Sequence, residues 1–344
     1  MKKTKEGVMK KRVFVILVFC LFFSFAIGVS CSFAAAKYTI KMYSVAPPYS
    51  PVNQAVSKLN EQLVKDSKGE VEIQLFGAGQ LGPESAGLNQ LQMGAVQAGS
   101  ITGVALSVIE PKANVFNLPF LFKDYADIEK FVNSPAAEEL AATLDKRGFK
   151  LLGITSYGFF TTISKKGFLA NPADFKGVKI RVYPTPILVD LYKIIGASPT
   201  PVAYTEIYTA LQQGLIDGTD GTLDSANASK QYEVCKYLTL TDHIHGWFFY
   251  LVNKKWYEGL PKNIQTMLAD GFKKCGKVGR ELSDKNDEEL LEKFKKEKVQ
   301  VKKLNEKEKE VLKKATYGIH EKYGSQIGAD FLESVYKTVN FQKP

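Results

Sequence analysis

Between Gly177 and Asp224 the chain sets two strand–helix units back to back, and this stretch constrains the fold more than any other. Val178, Ile180 and Val182 alternate with Lys179, Arg181 and Tyr183, the period of a half-buried strand with Arg181 on its polar side. Thr185 suits a helix cap, and Pro186 suits the first helical position, where its missing N–H has no partner to lose. Ile187, Leu188, Leu191, Ile194 and Ile195 then form one apolar stripe that Gly196 ends. Thr205 opens a second helix, with Ile207, Ala210 and Leu211 on one face and Gly214 near its end. That unit runs into the acidic, glycine-rich loop Asp217–Asp224. Arg181 thus stands near the carboxyl end of a strand, beside a helix amino terminus, where open α/β folds bind small ligands. The same pattern also describes a structural ion pair, and the residues alone leave both readings open.

The first 36 residues read as an export signal rather than as part of the fold. Lys2, Lys3, Lys5, Lys10, Lys11 and Arg12 form a basic head, Val13–Val29 an apolar run, and Ala34–Ala36 a small-residue cleavage site. The mature chain is expected to start at Lys37 and to be periplasmic. An uncleaved anchor is the alternative, and Cys31 raises a lipid anchor, although Gly28 stands where a lipobox has leucine. Removing the six basic residues and Glu6 takes the formal net charge from +10 to +5. That modest excess calls for no nucleic acid and would help to steer anions. Cys235 and Cys275 remain; pairing is open to them outside the cytoplasm, and two small buried residues is the plainer reading.

About 300 residues suffice for two domains. Strands are expected at Tyr38–Val45, Val71–Phe76, Ala95–Ile101, Leu151–Thr155, Tyr157–Ser164, Tyr237–Thr241 and Trp247–Asn253. Helices are expected at Val52–Ser67, Glu84–Met93, Ala126–Arg147, Pro261–Lys298 and Glu306–Tyr323. The alternation implies an α/β fold with mostly parallel sheets. The Lys- and Glu-rich helices near the carboxyl end read as solvated faces.

Three motifs invite stronger readings. Gly77–Gly82 spells G-x-G-x-x-G after a strand, but no Asp or Glu lies between Glu84 and Glu110, and Glu84 puts negative charge where a pyrophosphate would sit. It reads as a turn. His243 and His245 would share a strand face, yet lack third and fourth metal ligands; Asp217, Asp220 and Asp224 lack the twelve-residue calcium pattern. No metal and no cofactor are therefore expected. Catalysis finds neither a G-x-S-x-G elbow nor a recognisable triad, so an enzyme is not expected.

The segments KGVKIRV, GASPTPVAYTEIYTALQQGLIDG, GQLG (Gly79–Gly82), NLPFLF (Asn117–Phe122) and NKKWYEGLP (Asn253–Pro261) carry a resemblance that extends across the mature chain. They resemble the periplasmic solute-binding proteins of TRAP (tripartite ATP-independent periplasmic) transporters, the DctP-like family. The resemblance implies two α/β lobes with a cleft between them and long connecting helices: residues 37–157 with 247–286, and 158–246 with 287–344. It also implies that Arg181, in K-I-R-V, clamps a ligand carboxylate and that Tyr204 lines the pocket. The family's usual second arginine aligns with Phe160. Its Q-E-N-P becomes Thr219-Asp220-Gly221-Thr222, so the asparagine contact is lost at Gly221. An acidic contact of the first domain appears as Thr102.

These departures, with Tyr157, Phe159, Phe160, Tyr183, Tyr204 and Trp247 flanking one arginine, point to a monocarboxylate with an aromatic or branched apolar body. Asp220 would then meet an amino or hydroxyl group. Sialic acid and C4-dicarboxylates fit less well. The expected function is capture of an organic acid anion by a monomer that delivers it to a TRAP membrane permease. The alternatives are a ligand-loaded receptor for a membrane sensor and an exported hydrolase or lyase working through Asp217–Asp224.

Overall fold

Gly158, at φ +96°, and the two residues after it end one sheet and begin another. The computed structural model describes residues 36–344, so the export signal, its cleavage site up to Ala35 and Cys31 lie outside the described residues. Eleven strands form: β1 (Tyr38–Ser44), β2 (Val71–Phe76), β3 (Ala98–Thr102), β4 (Phe149–Phe159), β5 (Thr161–Ser164), β6 (Lys179–Val182), β7 (Ser198–Pro201), β8 (Gly218–Gly221), β9 (Tyr237–Leu240), β10 (His245–Asn253) and β11 (Gln300–Lys303). The first sheet runs β2-β1-β3-β10-β4 and the second β11-β9-β5-β8-β6-β7.

The chain therefore changes sheet at Phe160, returns between Leu240 and His245, and leaves again along the helix Lys262–Lys296. At the first two crossings the backbones bond: Phe160 N donates to Ile244 O (2.7 Å) and Phe120 N to His243 O (2.6 Å). Both sheets are mixed rather than mostly parallel. β10 runs antiparallel to β3 and β4, and β5 antiparallel to β8 and β9. Alternation of strands and helices does not reveal a strand that comes back from the other sheet and inserts against the local direction.

β10 is buried along its whole length between two neighbours, which is why it reads as a continuous apolar run. Trp247, Phe116, Phe122 and Phe131 cluster beneath it at centroid separations of 4.9–6.4 Å. The helix Lys262–Lys296 lies on β4 at close range. Arg280 Nη1 donates to Ile154 O (2.6 Å), and Ser283 Oγ to Ser156 O (2.7 Å). Beyond Asn286 it meets the second sheet's elements: Lys293 Nζ donates to Asn227 Oδ1 (2.6 Å), and Leu290 and Phe294 join a separate apolar cluster with Ile163, Leu211 and Leu238.

Two expected helices break where the local chemistry dictates. Ala126–Arg147 divides into Tyr125–Val132 and Pro135–Lys146, because Pro135 has no N–H to continue the ladder and Ser134 caps the second piece. Glu306–Tyr323 divides at Tyr317, and a further helix, Ala329–Thr338, follows Gly328 at φ +96°. This last helix packs on Tyr125–Val132 and Pro135–Lys146, elements of the first sheet's side, whereas Glu306–Thr316 packs on the second sheet's helices. The acidic loop Asp217–Asp224 is mostly regular: it contains β8 and the start of the helix Leu223–Ala228, capped by Thr222 Oγ1, which accepts from Ser225 N (3.2 Å).

Candidate functional site

Elements from both sheets close on one cavity. From the first come Val45, Ala46 and Pro47 after β1, Glu84, Thr102, Val104, Tyr157 and Phe248. From the second come Arg181 and Tyr183 around the end of β6, Leu188, Tyr204, Ile207, Asp220, Asp224 and Ser225. Phe160, on the crossing segment, sits between the two sets. The space open to the centres of water-sized molecules is about 60 Å³, several times what a single water needs.

Arg181 is buried, 6% exposed, rather than on a polar strand face. Its Nε donates to Val202 O (2.9 Å), which fixes the guanidinium plane, and no protein group accepts from Nη2. Arg147 and Arg280 pair with Glu110 and Glu129; Arg181 has no carboxylate within ion-pair distance among the described residues. Burial lowers its pKa, and the field of Asp220 opposes that. The ion-pair reading of this strand-end arginine is therefore not what the fold builds.

Thr102, Tyr157, Phe160, Tyr183, Tyr204 and Asp220 all line the cavity with Arg181. Trp247 does not. It is 1% exposed inside the Phe116–Phe122–Phe131 cluster, and Phe159 packs on Tyr125 and His245 instead. The correction follows from pleating: Phe248 faces the cavity, so its neighbour Trp247 must face the core.

Glu84 and Asp224 were not among the ligand-binding residues expected from the sequence, Asp224 having been weighed only as a calcium ligand and within the acidic loop. Glu84 opens the helix Glu84–Met93. Its Oε1 accepts from Thr102 N (2.7 Å) and its Oε2 from Thr102 Oγ1 (2.9 Å). A carboxyl group thus stands beside Thr102, where the resemblance implies an acidic contact. Desolvation pushes its pKa up to about 7 against the lowering effect of the Thr102 bonds and Arg181. Asp224, bonded to Asn286 at 3.4 Å, and Asp220 are each raised by burial to about 6. Neither Asp220 oxygen meets hydrogen-bonding geometry with a protein donor. The Tyr192 hydroxyl, which also meets His243 Nε2 at 3.1 Å, and the N–H of Asp220 itself lie near enough to lower its pKa against desolvation.

The G-x-G-x-x-G segment is a wall support. Ala78 N donates to Ala46 O (2.7 Å), Gly79 N to Ser44 O (3.1 Å), and Tyr43 Oη to Gly82 O (3.2 Å). Its positive φ at Ala78, Gly79 and Gly82 turns the chain so that Glu84 enters the cavity. The histidines are committed elsewhere. His243, in the crossing segment rather than on a strand with His245, contacts Tyr192 and Thr241; His245 lies among aromatic rings; His320 bonds Pro119 O and Tyr336. No cluster suited to a metal occurs among the described residues. Cys235 and Cys275 are free and buried, each thiol raised to about 12 by desolvation.

Residues 42–326 match the family of bacterial extracellular solute-binding proteins, family 7, known as DctP. The chain belongs to this family. Among its relatives, the C4-dicarboxylate-binding periplasmic protein DctP of Rhodobacter capsulatus is 27% identical over 90% of this chain and 93% of its own. The 2,3-diketo-L-gulonate-binding periplasmic protein YiaO of Escherichia coli K12 is 28% identical over 72% of this chain and 75% of its own. Among solved structures, the sugar acid binding protein of Advenella mimigardefordensis in complex with galactonate superposes with a TM-score of 0.85 at 26% identity, covering 89% of this chain and 98% of that one. A TRAP periplasmic protein of Sulfurospirillum deleyianum with bound succinate does so with 0.83 at 25%, covering 88% and 99%. The chain is thus a two-lobe α/β binding protein of a transport family, not an enzyme.

Proposed function

We propose that this TRAP solute-binding protein captures an organic acid anion in the cavity between its sheets and hands it to a membrane permease. The observation that carries this is Arg181: a desolvated guanidinium with an unpartnered Nη2 in a cavity wall. A carboxylate satisfies such a group with charge-assisted bonds that fix orientation as well as sign. The relatives named for C4-dicarboxylate and diketogulonate, and the structures holding galactonate and succinate, support the carboxylate class.

The ligand we infer is a monocarboxylate with an aromatic or branched apolar body. Val45, Val104, Tyr157, Phe160, Leu188, Ile207 and Phe248 supply the apolar wall. A second ligand carboxylate would face Glu84, Asp220 or Asp224 with no further guanidinium to receive it. The lobes we assign are residues 37–157 with 247–286 and 158–246 with 287–344, acting as a monomer in the periplasm after signal removal, with the final helix bracing the first lobe. Calorimetry over a panel of carboxylates tests the reading. Arg181→Ala should cost about 2–5 kcal/mol for the cognate acid, the range for stripping one partner from a buried charge pair. Unchanged affinity in that variant overturns it.

A further inference from the structure

The cavity holds more acid than base. Arg181 is the one cationic side chain among its lining residues, against Glu84, Asp220 and Asp224. Two of the three acids are engaged: Glu84 by Thr102 through both oxygens, Asp224 by Asn286. Asp220 is not. It is 2% exposed, lines the cavity, and neither oxygen meets hydrogen-bonding geometry with a protein donor, the Tyr192 hydroxyl being its polar neighbour. A buried carboxylate without donors is costly, and Arg181, in whose field it lies, is not within ion-pair distance of it among the described residues. Arg181 and Asp220 are also close in the fold. Arg181 sits opposite Thr219 in the parallel β6–β8 register, so Asp220 is one residue further along the adjacent strand. Strand spacing and rise put the two backbone positions roughly 6 Å apart, and both side chains line the one cavity.

We propose that Asp220 is the seat for a protonated amine, and that the cognate ligand is an apolar 2-amino acid rather than the corresponding 2-oxo or 2-hydroxy acid. This rests on the carboxylate-binding reading above. A simple monoanion neutralises Arg181 and leaves Asp220 facing added negative charge. A zwitterion supplies a carboxylate to Nη2 and an N–H donor to Asp220, so each unpartnered group of the wall gains a complement of opposite sign.

The test uses the mature chain and matched series: phenylalanine, phenylpyruvate and phenyllactate; leucine, 4-methyl-2-oxopentanoate and 2-hydroxy-4-methylpentanoate. A thermal-shift screen of the apolar amino acids with their oxo and hydroxy counterparts precedes calorimetry on the best series. The amino member should bind about 30-fold or more tightly than its counterparts, the lower end of the range for a buried charge pair. Asp220→Asn should remove that advantage and leave the oxo acid's affinity level or higher. Arg181→Ala should weaken every member alike. Should Asp220→Asn fail to fold, wild-type calorimetry in two buffers of different ionisation enthalpy decides: the amino acid binds without net proton uptake, the oxo acid takes up a proton. The proposal is overturned if no amino acid stabilises the protein, or if an oxo or hydroxy acid binds as tightly as its amino counterpart. If such an acid binds through Arg181, the carboxylate reading survives alone; if Arg181→Ala leaves all binding intact, both readings fall.

Discussion

A guanidinium buried beside three carboxyls sets the chemistry at the scale of single residues. Val202 O holds Arg181 through Nε, so the outer nitrogens approach a ligand in a fixed plane. Lysine retains the charge without that fork. Arg181→Lys is therefore expected to weaken cognate binding by at least about tenfold, ~1.4 kcal/mol, while Arg181→Ala loses more; a titration of both variants checks the order. The carboxyls make stability depend on pH. Glu84 at about 7, Asp220 and Asp224 at about 6 and Asp287 at about 8 all lie above ordinary values, with desolvation the leading cause each time. Each of these four groups binds its proton more tightly in the folded chain, so its contribution to ligand-free stability falls as pH rises toward its folded pKa, whereas His243, His245 and His320, lowered by burial to about 4, 3 and 4, act in the opposite sense below about pH 6.5. Glu84→Gln removes one such group. Wild type should lose on the order of 3 kcal/mol more than this variant between pH 4.5 and pH 8, read as the divergence of two denaturation series. Parallel series would refute the assignment.

At the scale of elements, the helix Lys262–Lys296 depends on its glycines. A Cβ at Gly276 would stand 2.5 Å from Ile154 O, a backbone atom of β4 that cannot step aside. Alanine gains about 1 kcal/mol of helix propensity over glycine, and here the clash should outweigh it, so Gly276→Ala lowers stability. At Gly271 the obstructing atom is the end of the Leu59 side chain, which can rotate, so Gly271→Ala should be close to neutral. Chemical denaturation of the pair separates backbone from side-chain crowding. Trp247→Ala opens a hole in the core under β10 and should cost about 3–5 kcal/mol, with ligand affinity in the surviving folded fraction unchanged because Trp247 does not line the cavity.

On the scale of the whole molecule, the cavity is made of parts that meet only because the chain crosses between sheets at Phe160 and at Asp242–Ile244, with one helix running along both. A ligand that touches both sets of walls stabilises their approach, a population shift whose size is set by contacts made only when the walls are close. At a hundred times Kd the cognate acid should add about 2.7 kcal/mol of apparent stability. A thermal scan should show a rise that Arg181→Ala abolishes. A ligand that binds by calorimetry yet leaves the transition unmoved would argue against this site.

The local code wrote the β6 strand, the helix after it, the long helix and the family itself, because each rests on periodicity, caps and spacing within a few tens of residues. Arg181 stood out by its strand-end position and Tyr204 by the resemblance, and both line the cavity with Asp220. Glu84 did not stand out: it lies nearly a hundred residues before Arg181, and only the Thr102 bonds show where its carboxyl goes. Trp247 was misread because one strand residue and its neighbour face opposite sides, and sequence does not say which side is core. Likewise the reversed direction of β10 and the burial of Asp220 without a well-formed hydrogen bond are facts of long-range packing. Short-range patterns fix which residues can form an element; which charges end up facing one another is decided by the crossings that bring distant elements together.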